Sequence, residues 1–190
     1  SLFPKSTKSL EGSLFPARYS FEDNISIANA LNMMVAKAYT EYEKTGLFAG
    51  YEKYKPLDLL TIASMVQIEG DPATFSRVAR VIYNRLKIGM PLQLNATLQY
   101  ATNSRGKIML SNKATKLNSP YNTYKYLGLP PTPISNPSLD AIEATLKPAS
   151  GDWLYFITVA PRDTRFTKDF AEFSNWNTEF NNNVAAGKFK

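Results

Sequence analysis

The sequence contains neither cysteine nor histidine. Without cysteine, the chain cannot form disulfides, a thiol nucleophile or a thiolate metal site. Without histidine, Ser-His-Asp catalysis and nearly all zinc enzymes are excluded. An acid or base in this protein must therefore come from Asp, Glu, Lys or Tyr, and we expect no metal and no cofactor.

Long apolar runs are also missing. No run approaches the roughly 20 residues that span a bilayer, and the sequence begins with neither Met nor a signal-peptide pattern. Its first residues, SLFPKSTKSL, are interpreted as an internal segment of a longer chain that was cut here. We therefore expect a soluble part of a longer protein, with any membrane anchor lying upstream.

Lysine and arginine exceed the acidic residues, which gives a net charge of +6. They are spread along the chain, and no basic cluster or nucleic-acid-binding motif is present. The excess indicates either a generally basic surface or attraction to a polyanion, such as anionic lipid headgroups or an acidic cell-wall polymer. Nucleic acid is not an expected partner.

Apolar spacing in the first half of the chain predicts three helices, over about residues 25–46, 56–69 and 72–88. Asp23 or Asn24 is suited to cap the first helix. Asp71 is suited to cap the third, with Pro72 in its first turn. At 190 residues and 44% hydrophobic content, the chain is long enough for one full-sized domain.

The second half of the chain is less regular. Residues 90–137 are rich in turn formers, with a helical turn expected around residues 96–101. Further on we expect a short helix, a core strand and a tail helix, over about residues 138–147, 153–159 and 167–184. This order predicts an α+β fold, in which a helical N-terminal half packs with a small mixed or antiparallel sheet and long loops form a substrate groove. Residues 1–23 are interpreted as an extended remnant of an upstream region, and residues 24–190 as one folded domain.

An apolar helical stripe ends on a carboxylate at Glu69. Ile62, Met65, Val66 and Glu69 lie at i, i+3, i+4 and i+7, so they share one face of a helix that Gly70 can close. Glu69 is therefore drawn toward the buried side. The alternative is a helix-end glutamate that is merely half-exposed.

Five blocks of the sequence occur in a characteristic order and spacing: LEGSLFPARY (10–19), ASMVQIEG (63–70), NRLKIGMPLQLNATLQYA (84–101), SPYNTYKYLGLPPTPISNP (119–137) and AIEATLKPASGDWLYFITV (141–159). Together they resemble the YceG-like, MltG-type endolytic murein transglycosylases, over nearly all of residues 10–175. The most specific parts are NRL-x-x-GMPLQ and YNTY followed by GLPP-x-PI-x-NP.

The resemblance implies a lyase that cleaves MurNAc–GlcNAc β-1,4 bonds within nascent glycan strands and leaves 1,6-anhydroMurNAc ends. It implies a single-pass anchor and a catalytic domain on the extracytoplasmic face of the bacterial membrane. Glycan strands are the implied partner, with peptidoglycan synthases as a further one. The catalytic glutamate of the family closes an apolar helix, so the role falls on Glu69, since the earlier acidic position of the motif is Gln67 here.

Such an enzyme can work with one carboxylic acid, because the C6 hydroxyl of the substrate attacks in place of water. The acid must stay protonated near neutral pH, whereas a free Glu titrates at about 4.3. Burial and the helix C-terminus should raise the pKa of Glu69. Arg77 or Arg80, from the next helix, could oppose this by pairing with it.

The polar loops offer amides and hydroxyls suited to sugar hydroxyls and N-acetyl groups. The predicted substrate-binding residues are Asn84, Gln93, Asn95, Thr97, Tyr121, Asn122, Thr123 and Tyr124. A contact within the fold is the alternative for Asn84, and ordinary packing is the alternative for the two tyrosines. Trp153, Tyr155 and Phe156 are interpreted as core strand residues.

Departures from the family pattern leave other functions open. Asn95 stands where the family commonly has Asp, and the histidines usual near positions 164–166 and 172–173 are absent. A non-catalytic peptidoglycan-binding or scaffold module is therefore an alternative. A third reading is a hydrolase that uses water and a second carboxylate, for which Asp71 is the nearest candidate in sequence.

Overall fold

Six α-helices and a two-stranded sheet form the part of the chain that the computed structural model describes, residues 9–104 and 114–189. In chain order the elements are α1 Ile27–Thr45, α2 Pro56–Glu69, α3 Phe75–Lys87, α4 Asn95–Ala101, α5 Leu139–Leu146, β1 Tyr155–Ala160, β2 Asp163–Thr167 and α6 Phe170–Ala185. Single 3-10 turns occur at Leu47–Ala49 and Ala114–Lys116. The predicted α+β class is confirmed, and the sheet is antiparallel.

Helix α2 lies at the centre of the fold. The predicted stripe is confirmed, because Ile62, Met65 and Val66 pack with α3 in one cluster. The opposite side of α2 is also buried: Leu59 and Ala63 pack against α1 in a second cluster. Packing on both sides therefore fixes α2, and with it the position of its last residue.

The first helix begins later than the sequence predicted. Ser26 is its N-cap and accepts a hydrogen bond from the Asn29 N–H at 3.2 Å, whereas Asp23 and Asn24 precede the helix. Ile27 is 81% exposed, so it does not belong to the buried stripe. Ser is as good a cap as Asp or Asn, and propensity alone does not choose between them.

The third helix begins at Phe75, three residues later than predicted. The Asp71 carboxylate accepts the N–H groups of Ala73 and Thr74 at 2.9 and 3.1 Å. The Thr74 hydroxyl in turn accepts the Asp71 N–H at 2.9 Å. These bonds hold residues 71–74 in a separate turn between the helices, so the prediction of Asp71 as the cap of α3 is wrong.

The described residues of the N-terminal segment pack on the rest of the fold. The N–H groups of Gly12 and Leu14 donate to Asn136 Oδ1 at 2.8 and 3.0 Å, and the Tyr42 hydroxyl donates to the Gly12 carbonyl at 2.7 Å. Gly12 has φ +85°, and a Cβ there would meet the Pro133 side chain at 2.7 Å. Glycine is required at this close approach. The proposed division of the chain at residue 23 stays a prediction.

The sheet is a hairpin on which α6 packs. Tyr155 pairs with Thr167 and Phe156 with Phe166, and the Asn183 side chain of α6 donates to the Val159 carbonyl at 2.7 Å. Val159 is the one fully buried residue of β1; the others keep partial exposure. The prediction of a core strand is therefore wrong in part, because residues 155–158 of β1 line a cavity.

Among residues 9–104 and 114–189, none of the helices combines the length and apolarity needed to cross a bilayer. The same residues contain no group of three or more acidic side chains placed to hold a metal ion.

Candidate active site

A cavity of about 500 Å³ lies where the C-terminal end of α2 meets α4, β1 and α6. Its described lining contains four titratable side chains: Glu69, Arg85, Tyr124 and Tyr155. Glu69 is therefore the sole carboxylic acid on this lining.

The end of α2 delivers Glu69 to the cavity. Gly70 closes the helix, as predicted, with its N–H donating to the Val66 carbonyl at 3.1 Å. A Cβ at Gly70 would lie 3.1 Å from the Phe75 ring and from Thr74 Oγ1, so a larger residue would fit here only if these neighbours shifted slightly. Gln67 points elsewhere, since its Oε1 accepts the N–H of Ser138 at 2.8 Å.

The Glu69 carboxyl is buried and hydrogen-bonded. Its Oε1 accepts the N–H of Ala96, in the first turn of α4, at 2.9 Å. The residue keeps some exposure because it faces the cavity, yet burial is the largest influence on it and raises its pKa to about 7. The Ala96 N–H and the charge of Arg85 oppose this rise. The direction matches the prediction from sequence.

The arginine that acts on Glu69 is Arg85, not Arg77 or Arg80. Arg77 lies over the Phe166 ring at 4.5 Å from its centroid, and Arg80 Nε donates to the Ala149 carbonyl at 2.6 Å. The expected pairing of either with Glu69 is therefore wrong. Arg85 was missed although it stands within the NRL block, two residues before the end of α3.

Three of the predicted binding residues line the cavity with Glu69: Gln93, Asn95 and Tyr124. Asn95 begins α4, and its Oδ1 accepts a short hydrogen bond from the Tyr124 hydroxyl. Burial raises the pKa of Tyr124 to about 12, with a further contribution from Glu69. The hydroxyl therefore stays protonated and fixes the orientation of the Asn95 amide.

Thr97 and Thr123 are buried beneath these residues. The Thr97 hydroxyl donates to the Leu94 carbonyl at 2.8 Å, so in the 2.9 Å contact between the two threonines Thr123 is the donor. Thr123 Oγ1 also accepts the Leu94 N–H at 3.1 Å, and its carbonyl accepts the Gln93 N–H at 3.0 Å. Both threonines hold the start of α4 in place from below, and neither lines the cavity.

The remaining three predicted binding residues make contacts within the fold. The Asn84 amide donates to the Gly151 and Trp153 carbonyls at 3.2 and 2.9 Å, outside the Glu69 cavity. Asn122 is fully buried and organises its own loop. The Tyr121 hydroxyl contacts Thr132 Oγ1 at 2.6 Å. The structure therefore places Asn84 and Tyr121 where their structural alternatives would put them, and it places Asn122 within its own loop, outside the Glu69 cavity.

An aromatic wall lines the same cavity as Glu69 and was not expected from the sequence. Phe170 and Phe173, on α6, lie 5.6 and 5.1 Å from the Tyr155 ring, centroid to centroid. Phe156 and Phe180 extend the wall. The sequence assigned Tyr155 and Phe156 to the core, but the i, i+3 spacing of Phe170 and Phe173 is a signal that could have indicated a shared face.

A second depression, of about 490 Å³, is lined by Leu129 and Pro131 among others. Leu129 and Pro131 of the GLPP stretch, residues 128–131, therefore border this depression, and no residue of the stretch lines the Glu69 cavity.

Fold and site together define an α+β protein with a single buried carboxylic acid in a cleft bordered by amides and aromatic rings. The chain belongs to the YceG-like family, whose model matches residues 2–179. It is similar to the "Endolytic murein transglycosylase" of Bacillus subtilis (strain 168), with 38% identity over 165 residues. It is also similar to the protein of that name from Streptococcus pneumoniae (strain ATCC BAA-255 / R6), with 40% identity over 156 residues.

These alignments cover 86% and 78% of this chain but 46% and 28% of the two relatives. The chain thus spans about half or less of the length of the curated relatives it matches. A crystal structure of a YceG-like protein from Listeria monocytogenes superposes with a TM-score of 0.79 at 33% identity. That match covers 92% of this chain and 57% of the other.

Proposed function

We propose that this chain is a lytic transglycosylase domain that cuts MurNAc–GlcNAc β-1,4 bonds inside nascent glycan strands. In this proposal Glu69 is the single general acid and base, and the product carries a 1,6-anhydroMurNAc end. The names of the two bacterial relatives support murein as the substrate.

One observation supports the single-acid mechanism most strongly. Glu69 is the sole carboxylic acid on the described cavity lining, and burial raises its pKa to about 7. A group with this pKa is substantially protonated at neutral pH and can give up its proton and take one back.

The reaction balances without water. The Glu69 proton passes to the glycosidic oxygen as the bond from this oxygen to the anomeric carbon of MurNAc breaks. The C6 hydroxyl oxygen of the same MurNAc bonds to that carbon, and its proton passes to the Glu69 carboxylate. Glu69 is thereby restored, and the second carboxylate that an ordinary glycosidase needs is not required.

The structure weakens the case for a hydrolase. Asp71, the nearest candidate for a second carboxylate, accepts two backbone N–H groups in the turn before α3. It does not line the cavity that contains Glu69. With that carboxylate elsewhere, the described lining has no second acidic side chain besides Glu69 to activate a water molecule.

Substrate contacts follow from the groups around the acid. We propose that Gln93 and Asn95 hydrogen-bond sugar hydroxyls or N-acetyl groups, and that Tyr155 and Phe173 stack on sugar rings. Tyr124 holds the Asn95 amide in position. A murein substrate lies outside the cytoplasmic membrane, so we also propose an extracytoplasmic location, with peptidoglycan synthases as further partners.

The test is mass spectrometry of the products from uncrosslinked murein strands. We expect wild type to make internal cuts with anhydro ends, and Glu69→Gln to bind strands without cutting them. Asp71→Asn is the matched control: it deletes the other nearby carboxylate, keeps an acceptor oxygen and should cut like wild type.

Other products would identify the competing functions. Reducing ends that depend on Asp71 would establish a hydrolase. Strands that stay intact with wild type but are still bound would establish a binding or scaffold module. Cutting by Glu69→Gln at the wild-type rate would refute the role of Glu69.

A further inference from the structure

Arg85 is a buried cation held almost entirely by backbone carbonyls. The residue is 7% exposed. Nε donates to the Leu154 carbonyl at 2.6 Å, and Nη1 donates to the carbonyls of Leu92 and Pro91 at 2.7 and 3.2 Å. The guanidinium lies over the Tyr155 ring, 5.3 Å from its centroid. These contacts fix the charge between the start of β1 and the loop that leads to α4.

Carbonyl dipoles hold this cation, but no carboxylate neutralises it at close range. Among the described residues, no carboxylate forms an ion pair with Arg85 at a nitrogen–oxygen distance of 4 Å or less. Burial lowers the pKa of Arg85, yet a guanidinium remains charged in proteins. A buried charge is costly unless it is paired or hydrogen-bonded, and here only backbone carbonyls offset part of that cost.

The third nitrogen of Arg85 is not used by these backbone contacts. Nη2 makes no hydrogen bond to any described residue, whereas every fully buried side-chain nitrogen and oxygen of the described residues has a partner. Nη2 must therefore retain access to solvent, and Arg85 borders the same cavity as Glu69. The cation thus keeps one donor for the space in which the reaction would occur.

Resting on the proposed function, we propose that Arg85 is a positioning residue, whose fixed positive charge stabilises the Glu69 carboxylate left when the proton passes to the leaving oxygen. The other titratable side chains on the described lining are Tyr124 and Tyr155, whose phenol groups cannot carry a positive charge. Arg85 is therefore the one charged side chain there that can act on Glu69. The Ala96 N–H assists it from α4.

The test compares neutral and charged replacements of Arg85. Activity that needs protonated Glu69 falls as pH rises through the pKa of Glu69. We call the pH at which activity falls to half its maximum on the alkaline side the alkaline limit. In Arg85→Gln this alkaline limit should move to higher pH by at least about half a pH unit, because ionised Glu69 has lost the nearby positive charge. Arg85→Lys keeps the charge and should keep a limit near that of wild type.

Arg80→Gln is the matched control. Arg80 is on the same helix, also donates Nε to a backbone carbonyl at 2.6 Å and does not line the Glu69 cavity. The alkaline limit of activity in Arg80→Gln should remain at the wild-type pH. Arg85→Met, which keeps packing against Tyr155, is a second neutral variant in case Arg85→Gln does not fold.

A measurement independent of cleavage separates this inference from the proposed function. The ¹³C signal of the Glu69 carboxyl, assigned by its loss in Glu69→Gln, can be titrated in each folded variant. A higher midpoint in the neutral Arg85 variants supports the inference even if no glycan is cut. An unmoved midpoint, or an equal movement in Arg80→Gln, overturns it while leaving the cleavage results untouched.

Discussion

Glu69 should make the folded protein less stable as the pH rises, and Glu69→Gln should remove this effect. The folded-state pKa is about 7, whereas the ordinary value is 4.5. The folded chain therefore binds a proton more tightly than the unfolded chain. Stability from this group is fully present below the unfolded pKa and is lost as pH rises through the folded pKa.

The size of the effect follows from the difference between the two pKa values. Complete ionisation of Glu69 in its buried position costs about 3 kcal/mol. Most of this, about 2.5 kcal/mol, falls between pH 5 and pH 8. Gln is neutral at both pH values, and its Oε1 can still accept the Ala96 N–H that bonds Glu69.

The assay is urea unfolding of both proteins at these two pH values. The quantity of interest is the difference in free energy of unfolding between the two proteins, compared at the two pH values. The chain suits the measurement, because it has no histidine and few of its other groups titrate in this range. We expect the free energy of unfolding of Glu69→Gln to increase relative to that of wild type between the lower and the higher pH. Glu43→Gln, at an exposed position of α1, is the control and should show no such gain.

An equal pH dependence of stability in wild type and Glu69→Gln would refute the reasoning. It would mean that water reaches the carboxyl well enough for it to titrate as a free glutamate does. The basis for Glu69 as the acid would then be lost, even if the variant were inactive for another reason.

Three further substitutions test the surroundings of the acid. Asn95→Asp adds a carboxylate to the lining, which should disfavour ionised Glu69 and move the alkaline limit of cleavage upward; an unchanged pH–rate profile would contradict this. Thr123→Val leaves the Leu94 N–H without its acceptor and should cost about 2 kcal/mol in urea unfolding, most of which Thr123→Ser should recover. Asn84→Ala should cost about 1 kcal/mol of stability through its lost carbonyl contacts but leave KM for murein unchanged; a raised KM would restore Asn84 as a substrate contact.

Periodicity predicted the elements whose residues meet a continuous core. Helix α2 began at Pro56 and ended at Glu69 as predicted, because its apolar positions and its Pro and Gly boundaries agree. Local chemistry was less decisive at Asp71, which suits both a helix cap and a separate turn. The Thr74 hydroxyl, which accepts the Asp71 N–H, favours the turn.

Contacts between distant segments could not be predicted in the same way. The β-branched and aromatic run in β1 indicates that it is a strand but not whether its residues meet protein or a cavity, so Tyr155 was assigned to the core. Gln93 adopts a positive φ of 50°, a conformation held by the hydrogen bond to Thr123, 30 positions away. Arg85 was missed because its partners are backbone carbonyls, which leave no signature in the sequence.

The pKa of Glu69 results from two opposing features of the same fold. Burial at the end of α2 favours the protonated acid, whereas Arg85 and the Ala96 N–H favour the carboxylate. Burial alone would give an acid too weak to release its proton, and the opposing groups alone would give a carboxylate that holds none. With both present, the group titrates near neutral pH, where a single side chain can donate a proton to one oxygen and accept one from another.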